Sequence, residues 1–272
     1  MTSKKVKVGG LFALWYALNV GYNIYNKRVL NAVPQLTYTV AFLQLFLGLA
    51  YVLPMWGLGI REKPELSKKD LINLMPVAIL HCLTHLGAIV SLGAGAVSFT
   101  HIVKAAEPAI SAGLSALVLK QYLALPVYLS LIPVMTGVAI ASLKELSFSW
   151  LAFGGAMISN FASASRGIVG KLQMGKSIGK NMDACNLYAV MTIISSILCL
   201  PLAFFLESGN ILSTLTMIKE TGLANQLMFE TALSAIFYDL DNEGAFLTLS
   251  NVAPVTHALG NTIKRVVIII AS

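Results

Sequence analysis

The sequence predicts an all-α protein that crosses a membrane about nine times, and three observations carry that prediction. Only 11% of the residues are charged against 57% hydrophobic, whereas a water-soluble domain carries about 25% charged residues. The apolar residues gather into nine stretches, each near the roughly 20 residues that a span requires. A pattern of threonine, histidine and lysine in the fourth stretch also returns in the ninth. A chain this poor in charge cannot coat itself with polar side chains, so lipid must be its solvent.

Hydropathy and breakers place the spans near residues 8–29, 34–56, 71–94, 97–119, 124–143, 148–170, 185–206, 225–250 and 254–272. Two polar connectors stand out, 57–70 and 172–184, and neither reads as a domain linker. Lys and Arg near the spans test the topology. Eleven fall on the side of the N-terminus, from Lys4 to Lys180, against Lys27, Arg28, Lys144 and Lys219 opposite. That bias puts the N-terminus on the positive, cytoplasm-equivalent side. The short leader Met1–Lys5 is too brief for a signal or transit peptide, and the last apolar run reaches Ser272 without a polar stop. The expectation is therefore of a truncated chain, or one lacking a closing helix.

The echo links 91–104 to 248–264. A Thr-His pair at Thr100-His101 precedes Lys104 by one turn, and Thr256-His257 precedes Lys264 by two. Both spacings return near one helical face at roughly 100° per residue. The copies lie five spans apart, so they run in opposite directions, as in an inverted repeat.

A net charge of +7 comes without a basic-aromatic stripe, which excludes nucleic acid as the expected partner. No P-loop, GxSxG, HExxH or GxGxxG occurs, so an enzyme is not expected. Cys82, Cys185 and Cys199 lack CxxC spacing and read as small core hydrophobes. His81 and His85 form an HxxxH pair without a third ligand, so no metal and no cofactor is expected. Gly87 with Ser91, Ser91 with Gly95, and Gly155 with Ser159 suit close helix packing.

Ionisable residues inside a span are costly and mark sites. Lys104 lies in the fourth span beside Glu107, and Lys264-Arg265 lie in the ninth without a neighbouring acid. Arg166, near the end of its span, is placed to snorkel. Lys104 and Glu107 also suit a self-neutralising i,i+3 pair, and Lys264-Arg265 a helix end. The cations, costly separately, become affordable around a shared anion. Lys plus Arg is a common grip on phosphate.

The stretches Ala96-Val-Ser-Phe-Thr-His-Ile-Val-Lys-Ala-Ala-Glu-Pro108 and Pro254-Val-Thr-His-Ala-Leu-Gly-Asn-Thr-Ile-Lys-Arg265 resemble the two signatures of the plastid sugar-phosphate/phosphate translocators, triose-phosphate translocator-like members of the drug/metabolite transporter superfamily. So do Ser159-Asn-Phe-Ala-Ser-Ala-Ser-Arg-Gly-Ile168 with Lys171, and Asn23-Ile-Tyr-Asn-Lys-Arg28. The resemblance covers nearly the whole chain. It implies a drug/metabolite transporter fold of two inverted five-helix repeats, with nine of ten spans here, divided as 1–146 and 147–272. It implies exchange of inorganic phosphate for phosphorylated C3, C5 or C6 compounds across a plastid envelope, most closely the chloroplast inner membrane.

Carried over by position, Lys104, Lys264 and Arg265 match the family's phosphate clamp, and His85 and Arg166 match contacts to the rest of the substrate. Asn261 is expected to orient Lys264. Lys27, Ala88 and Asp241 are further substrate-facing candidates. Ala88 resembles the hexose- and pentose-phosphate branches and His257 the triose-phosphate branch, which splits the assignment. In Phe237-Tyr-Asp-Leu-Asp-Asn-Glu243 the family's substrate-facing tyrosine is replaced by Asp241, an acid expected to repel an anion or to lock a salt bridge with Lys264. A nucleotide-sugar carrier and a transport-defective remnant are the alternatives.

Overall fold

A computed structural model describes residues 2–146, 148–176 and 178–271, with side chains described between 9 and 268. Its described residues form α1 (Thr2–Ala32), a 3-10 turn (Pro34–Leu36), α2 (Thr37–Gly57), α3 (Lys68–Ala94), α4 (Val97–Lys104), α5 (Glu107–Val118), α6 (Leu125–Lys144), α7 (Trp150–Met174), α8 (Ala184–Thr221), α9 (Ala224–Asn251) and α10 (Pro254–Ala271). Four stretches, Pro34–Gly57, Lys68–Ala94, Leu125–Lys144 and Ala184–Thr221, are long and apolar enough to cross a membrane by composition alone. Several of the other helices hold the buried charges that lower their hydropathy.

Two helices depart from expectation. The fourth span is two helices, broken between Lys104 and Glu107. Pro108 occupies the first turn of α5, where its missing N–H costs nothing. The break sets Lys104 at the end of one half-helix and Glu107 at the start of the next. The seventh span, expected to end near 206, continues to Thr221. Glu207 reads as a boundary charge in the sequence, but it is buried and caps another helix. Its carboxylate accepts from the backbone N–H groups of Tyr38 (2.8 Å) and Thr39 (2.7 Å) and from the Thr39 hydroxyl. An anion at the N-terminus of α2 satisfies free N–H groups and meets the positive end of its dipole. The long helix ends at Gly222, whose φ of +68° is the left-handed cap conformation.

Packing is densest where α3 lies on α7 and α1 on α9; α2 on α8, α2 on α9, and α3 on α8 follow. α10 sits against α5 and α4, so the two echoing segments are neighbours in space. Between α3 and α7 the backbones touch. A Cβ on Gly87 would lie 2.7 Å from the Gly155 carbonyl, and one on Gly155 would lie 2.8 Å from the Gly87 carbonyl. The small residues in both helices therefore sit at the closest crossing. A main apolar core of Val29, Leu30, Ala41, Leu45, Leu86 and Ile89 lies on one side of the polar interior. A second, of Leu74, Val77, Tyr188, Met191 and Phe246, lies on another. Leu129, Ile132, Phe204, Phe205 and Leu215 face outward, as lipid-facing residues do.

The two polar connectors meet. Glu65 and Lys180 exchange backbone hydrogen bonds of 3.2 and 3.0 Å, and Asn186 donates to the Glu62 carbonyl. Arg61 reaches Glu243 at 2.5 Å. Burial opposes the Arg61 charge, but the hydrogen bonds and negative charge of Glu243 hold its pKa above the usual arginine value. Both connectors therefore lie at one end, as the charge bias requires.

Candidate functional site

Side chains of α1, α3, α4, α7, α9 and α10 line an internal cavity of about 100 Å³. Lys104, Arg166, Lys264 and Arg265 all reach it, as do His85, Ala88 and Asp241. Four cations that the sequence separates are thus brought to one place.

They are not uncompensated, contrary to the sequence expectation. Arg265 Nη2 donates to Glu107 Oε2 at 2.5 Å. Glu107 also accepts from Asn261 (2.8 Å) and Ser163 (2.6 Å). The expected Lys104–Glu107 pair is replaced by this arrangement, because the break after Lys104 takes the two residues off a common helical face. Lys104 donates instead to the Ser159 hydroxyl, which in turn donates to the Thr84 carbonyl at 2.7 Å. Asn261 holds Glu107 rather than Lys264.

Lys264 lies 3.4 Å from Asp241 Oδ1 and 4.2 Å from the centre of the Trp15 ring, a cation–π distance. Asn19 donates to Asp241 Oδ2 at 2.8 Å. The expected salt bridge of Asp241 to Lys264 is present, and both groups face the cavity. Lys264 and Arg265 lie within α10, so the helix-end reading of these two is wrong: they belong to the second turn-pair of a helix that runs on to Ala271.

Arg166 does not snorkel. It is buried and donates to His81 Nδ1 at 2.6 Å and to Asn242 Oδ1 at 3.3 Å. A guanidinium has no acceptor, so His81 Nδ1 must carry the lone pair. The HxxxH pair divides its work, for His85 Nε2 donates to the Ala41 carbonyl at 3.0 Å and packs its ring on Tyr238. Lys27 is not part of the cavity wall. It donates to the carbonyls of Leu92 (2.9 Å) and Gly95 (3.2 Å), closing the C-terminal end of α3. Lys171 does the same for α9 through Leu249 (2.8 Å) and Ser250 (3.1 Å).

Four cations and one carboxylate, Asp241, line the cavity; counted with Glu107, which is paired to Arg265 outside the lining, the cluster keeps two positive charges. Arg265 Nη1 is buried without a hydrogen-bond partner. An unsatisfied buried guanidinium nitrogen is costly. Sequence reasoning missed the supporting polar residues Asn19, Ser159, Ser163 and Asn242. Their signal was a polar side chain inside an apolar span; of the four, Ser163 alone lies one turn from a chosen cation, Arg166.

Residues 6–272 match the Triose-phosphate Transporter family. The chain belongs to that family. It shares the helical, polytopic fold of the drug/metabolite transporter superfamily that its motifs suggested. It is 42% identical over 263 residues to the triose phosphate/phosphate translocator, chloroplastic, of Solanum tuberosum, an overlap of 96% of this chain and 62% of that protein. The glucose-6-phosphate/phosphate translocator 1, chloroplastic, of Arabidopsis thaliana is 38% identical over 270 residues, covering 99% and 69%. The phosphoenolpyruvate/phosphate translocator 1, chloroplastic, of the same plant is 36% identical over 271 residues, covering 99% and 65%. The chain thus spans between three fifths and seven tenths of the length of these family members.

Proposed function

We propose that the protein is an antiporter that exchanges inorganic phosphate for a phosphorylated C3, C5 or C6 compound across a plastid envelope membrane. It acts as a carrier rather than an enzyme. The observation that carries this reading is the convergence of Lys104, Arg166, Lys264 and Arg265 on one cavity, where Asp241 in the wall and Glu107 beside Arg265 leave two positive charges. Lys104 and Arg265 are its phosphate clamp, Lys264 supports them, and Arg166 and His85 meet the rest of the substrate. The family and the printed names of its members support the same substrate kind.

Charge dictates the mechanism. Closing an empty cavity of net charge +2 leaves buried ions unpaired, at several kcal/mol each. A phosphate dianion removes that cost, so the carrier closes loaded and turns over only by exchange.

The two inverted halves, 1–146 and 147–272, supply the moving parts. Their relation is supported by the packing: a two-fold axis pairing each span with the fifth after it maps α3 on α7 to α1 on α9, and α2 on α9 to α3 on α8. It also maps the Lys27 bonds to the end of α3 onto the Lys171 bonds to the end of α9.

The test is uptake of labelled phosphate into proteoliposomes preloaded with dihydroxyacetone phosphate, glucose 6-phosphate, uridine monophosphate or nothing. Uptake only into vesicles loaded with a sugar phosphate is expected, and Lys104→Ala should abolish it. Equal uptake into empty vesicles, or full exchange by the Lys104→Ala variant, overturns the reading. Lys104 is the better probe than Arg265, whose removal strands Glu107.

A further inference from the structure

We propose that Asp241 makes the cavity selective for phosphate esters whose tail is uncharged and hydroxylated, and rejects those whose tail carries a carboxylate. The inference rests on the reading of the cavity as the phosphate-ester site and names its substrate class more narrowly.

The two ends of the cavity differ in what they offer. At the Lys104 end the groups left over are donors. Glu107 is engaged at both oxygens by Ser163, Asn261 and Arg265, so it holds Arg265 in place and has little to give a ligand. Arg265 Nη1 has no partner, and Lys104 has a neutral one in Ser159. A phosphate suits that end.

At the other end stands an acceptor. Asn19 fixes Asp241 Oδ2 at 2.8 Å. Oδ1 meets Lys264 at 3.4 Å, longer than the 2.7–2.9 Å of a full charge-assisted bond. An ionised carboxylate has about four lone-pair sites, and Oδ1 keeps room for another donor. The hydroxyls of a short sugar phosphate supply that donor. A tail carboxylate supplies none and brings a like charge into a buried, low-dielectric space.

Charge points the same way. The net charge of +2 matches a neutral-tailed ester, a dianion well above its second phosphate pKa of about 6, and it matches the dianion of inorganic phosphate. 3-Phosphoglycerate and phosphoenolpyruvate carry one negative charge more than the cavity can neutralise.

The experiment compares labelled dihydroxyacetone phosphate, 3-phosphoglycerate and phosphoenolpyruvate at pH 8, entering proteoliposomes loaded with inorganic phosphate, for the wild type and Asp241→Asn. The amide keeps the shape and removes the charge. The wild type should prefer dihydroxyacetone phosphate by roughly tenfold or more over either carboxylated ester, and Asp241→Asn should shift that ratio by roughly tenfold toward them. A wild-type ratio near one, or an unchanged ratio in Asp241→Asn, overturns the proposal.

Thermal stabilisation of the detergent-solubilised protein by the same three esters gives the order of binding without turnover. If no pair is exchanged but dihydroxyacetone phosphate still stabilises the wild type most, the antiport reading falls and the selectivity stands. If the carboxylated esters stabilise it as well or better, the selectivity falls, whatever the transport result and whether or not Asp241→Asn folds.

Discussion

Lys264 and Arg265 are adjacent in sequence, yet they meet their carboxylates on different terms. Arg265 is joined to Glu107 at 2.5 Å, and Glu107 takes two further hydrogen bonds from Asn261 and Ser163. Lys264 stands 3.4 Å from Asp241, whose other oxygen is held by Asn19 alone. The first pair ties α5, α7 and α10 together; the second joins α1, α9 and α10 at a cavity wall. A buried ion pair does not have one meaning: a saturated pair is framework, and an unsaturated one keeps capacity for a ligand.

The largest predicted effect tests that contrast directly. Glu107→Gln leaves Arg265 buried without a counter-charge, and removing one partner of a buried pair costs about 3–5 kcal/mol. A large fall in melting temperature in detergent is expected, with a clearly smaller fall for Asp241→Asn. Equal falls would erase the distinction between framework and ligand site.

Gly87→Val should come next. Its Cβ would lie 2.7 Å from the Gly155 carbonyl, a backbone atom that cannot rotate away, and overpacking of this kind costs about 1–3 kcal/mol. The same assay should show the loss, whereas Gly137→Ala, with nothing within 4 Å of the added carbon, should be nearly silent.

Glu207→Gln keeps an acceptor at the start of α2 but removes the charge, so a loss of about 1 kcal/mol is expected. A loss as large as that of Glu107→Gln would mean that Glu207 has a counter-ion rather than a capping role. The smallest effect belongs to Lys180→Ala. Its 3.0 Å pair with Glu65 is largely exposed, and such pairs contribute about 0–1 kcal/mol; added salt should erase what little difference remains.

The same contrast explains what was legible in the sequence. The spans were readable because each is a largely apolar run of about 20 residues, and the four cations because charge inside such a run is conspicuous. Their partners were not. Glu107 sits three residues from Lys104, and helical periodicity alone would pair them; the break at Ala105 and Ala106 redirects Glu107 to α10. Lys27 looked substrate-facing because it lies in a span, but the carbonyls it satisfies belong to the distant end of α3. Glu207 looked like a boundary, since nothing in its own helix shows that the start of α2 lies beside it. Asp241 was visible because it stands where the family it resembles carries a tyrosine, and its link to Lys264 followed from charge alone. Apart from that one link, contacts that depend on which helices adjoin could not be read.

The glycine crossing of α3 and α7 bears on how such a site changes its preference. With Gly87 and Gly155 held backbone to backbone, the register between the helix bearing His85 and Ala88 and the helix bearing Arg166 has no slack. Movement of the two halves at this crossing is then a pivot rather than a slide, and this wall of the cavity acts as one jaw. Room for a longer or differently charged cargo has to come from the facing jaw of α1 and α9, where Asn19, Tyr22 and Asp241 stand, and substitutions that retune the carrier should accumulate there.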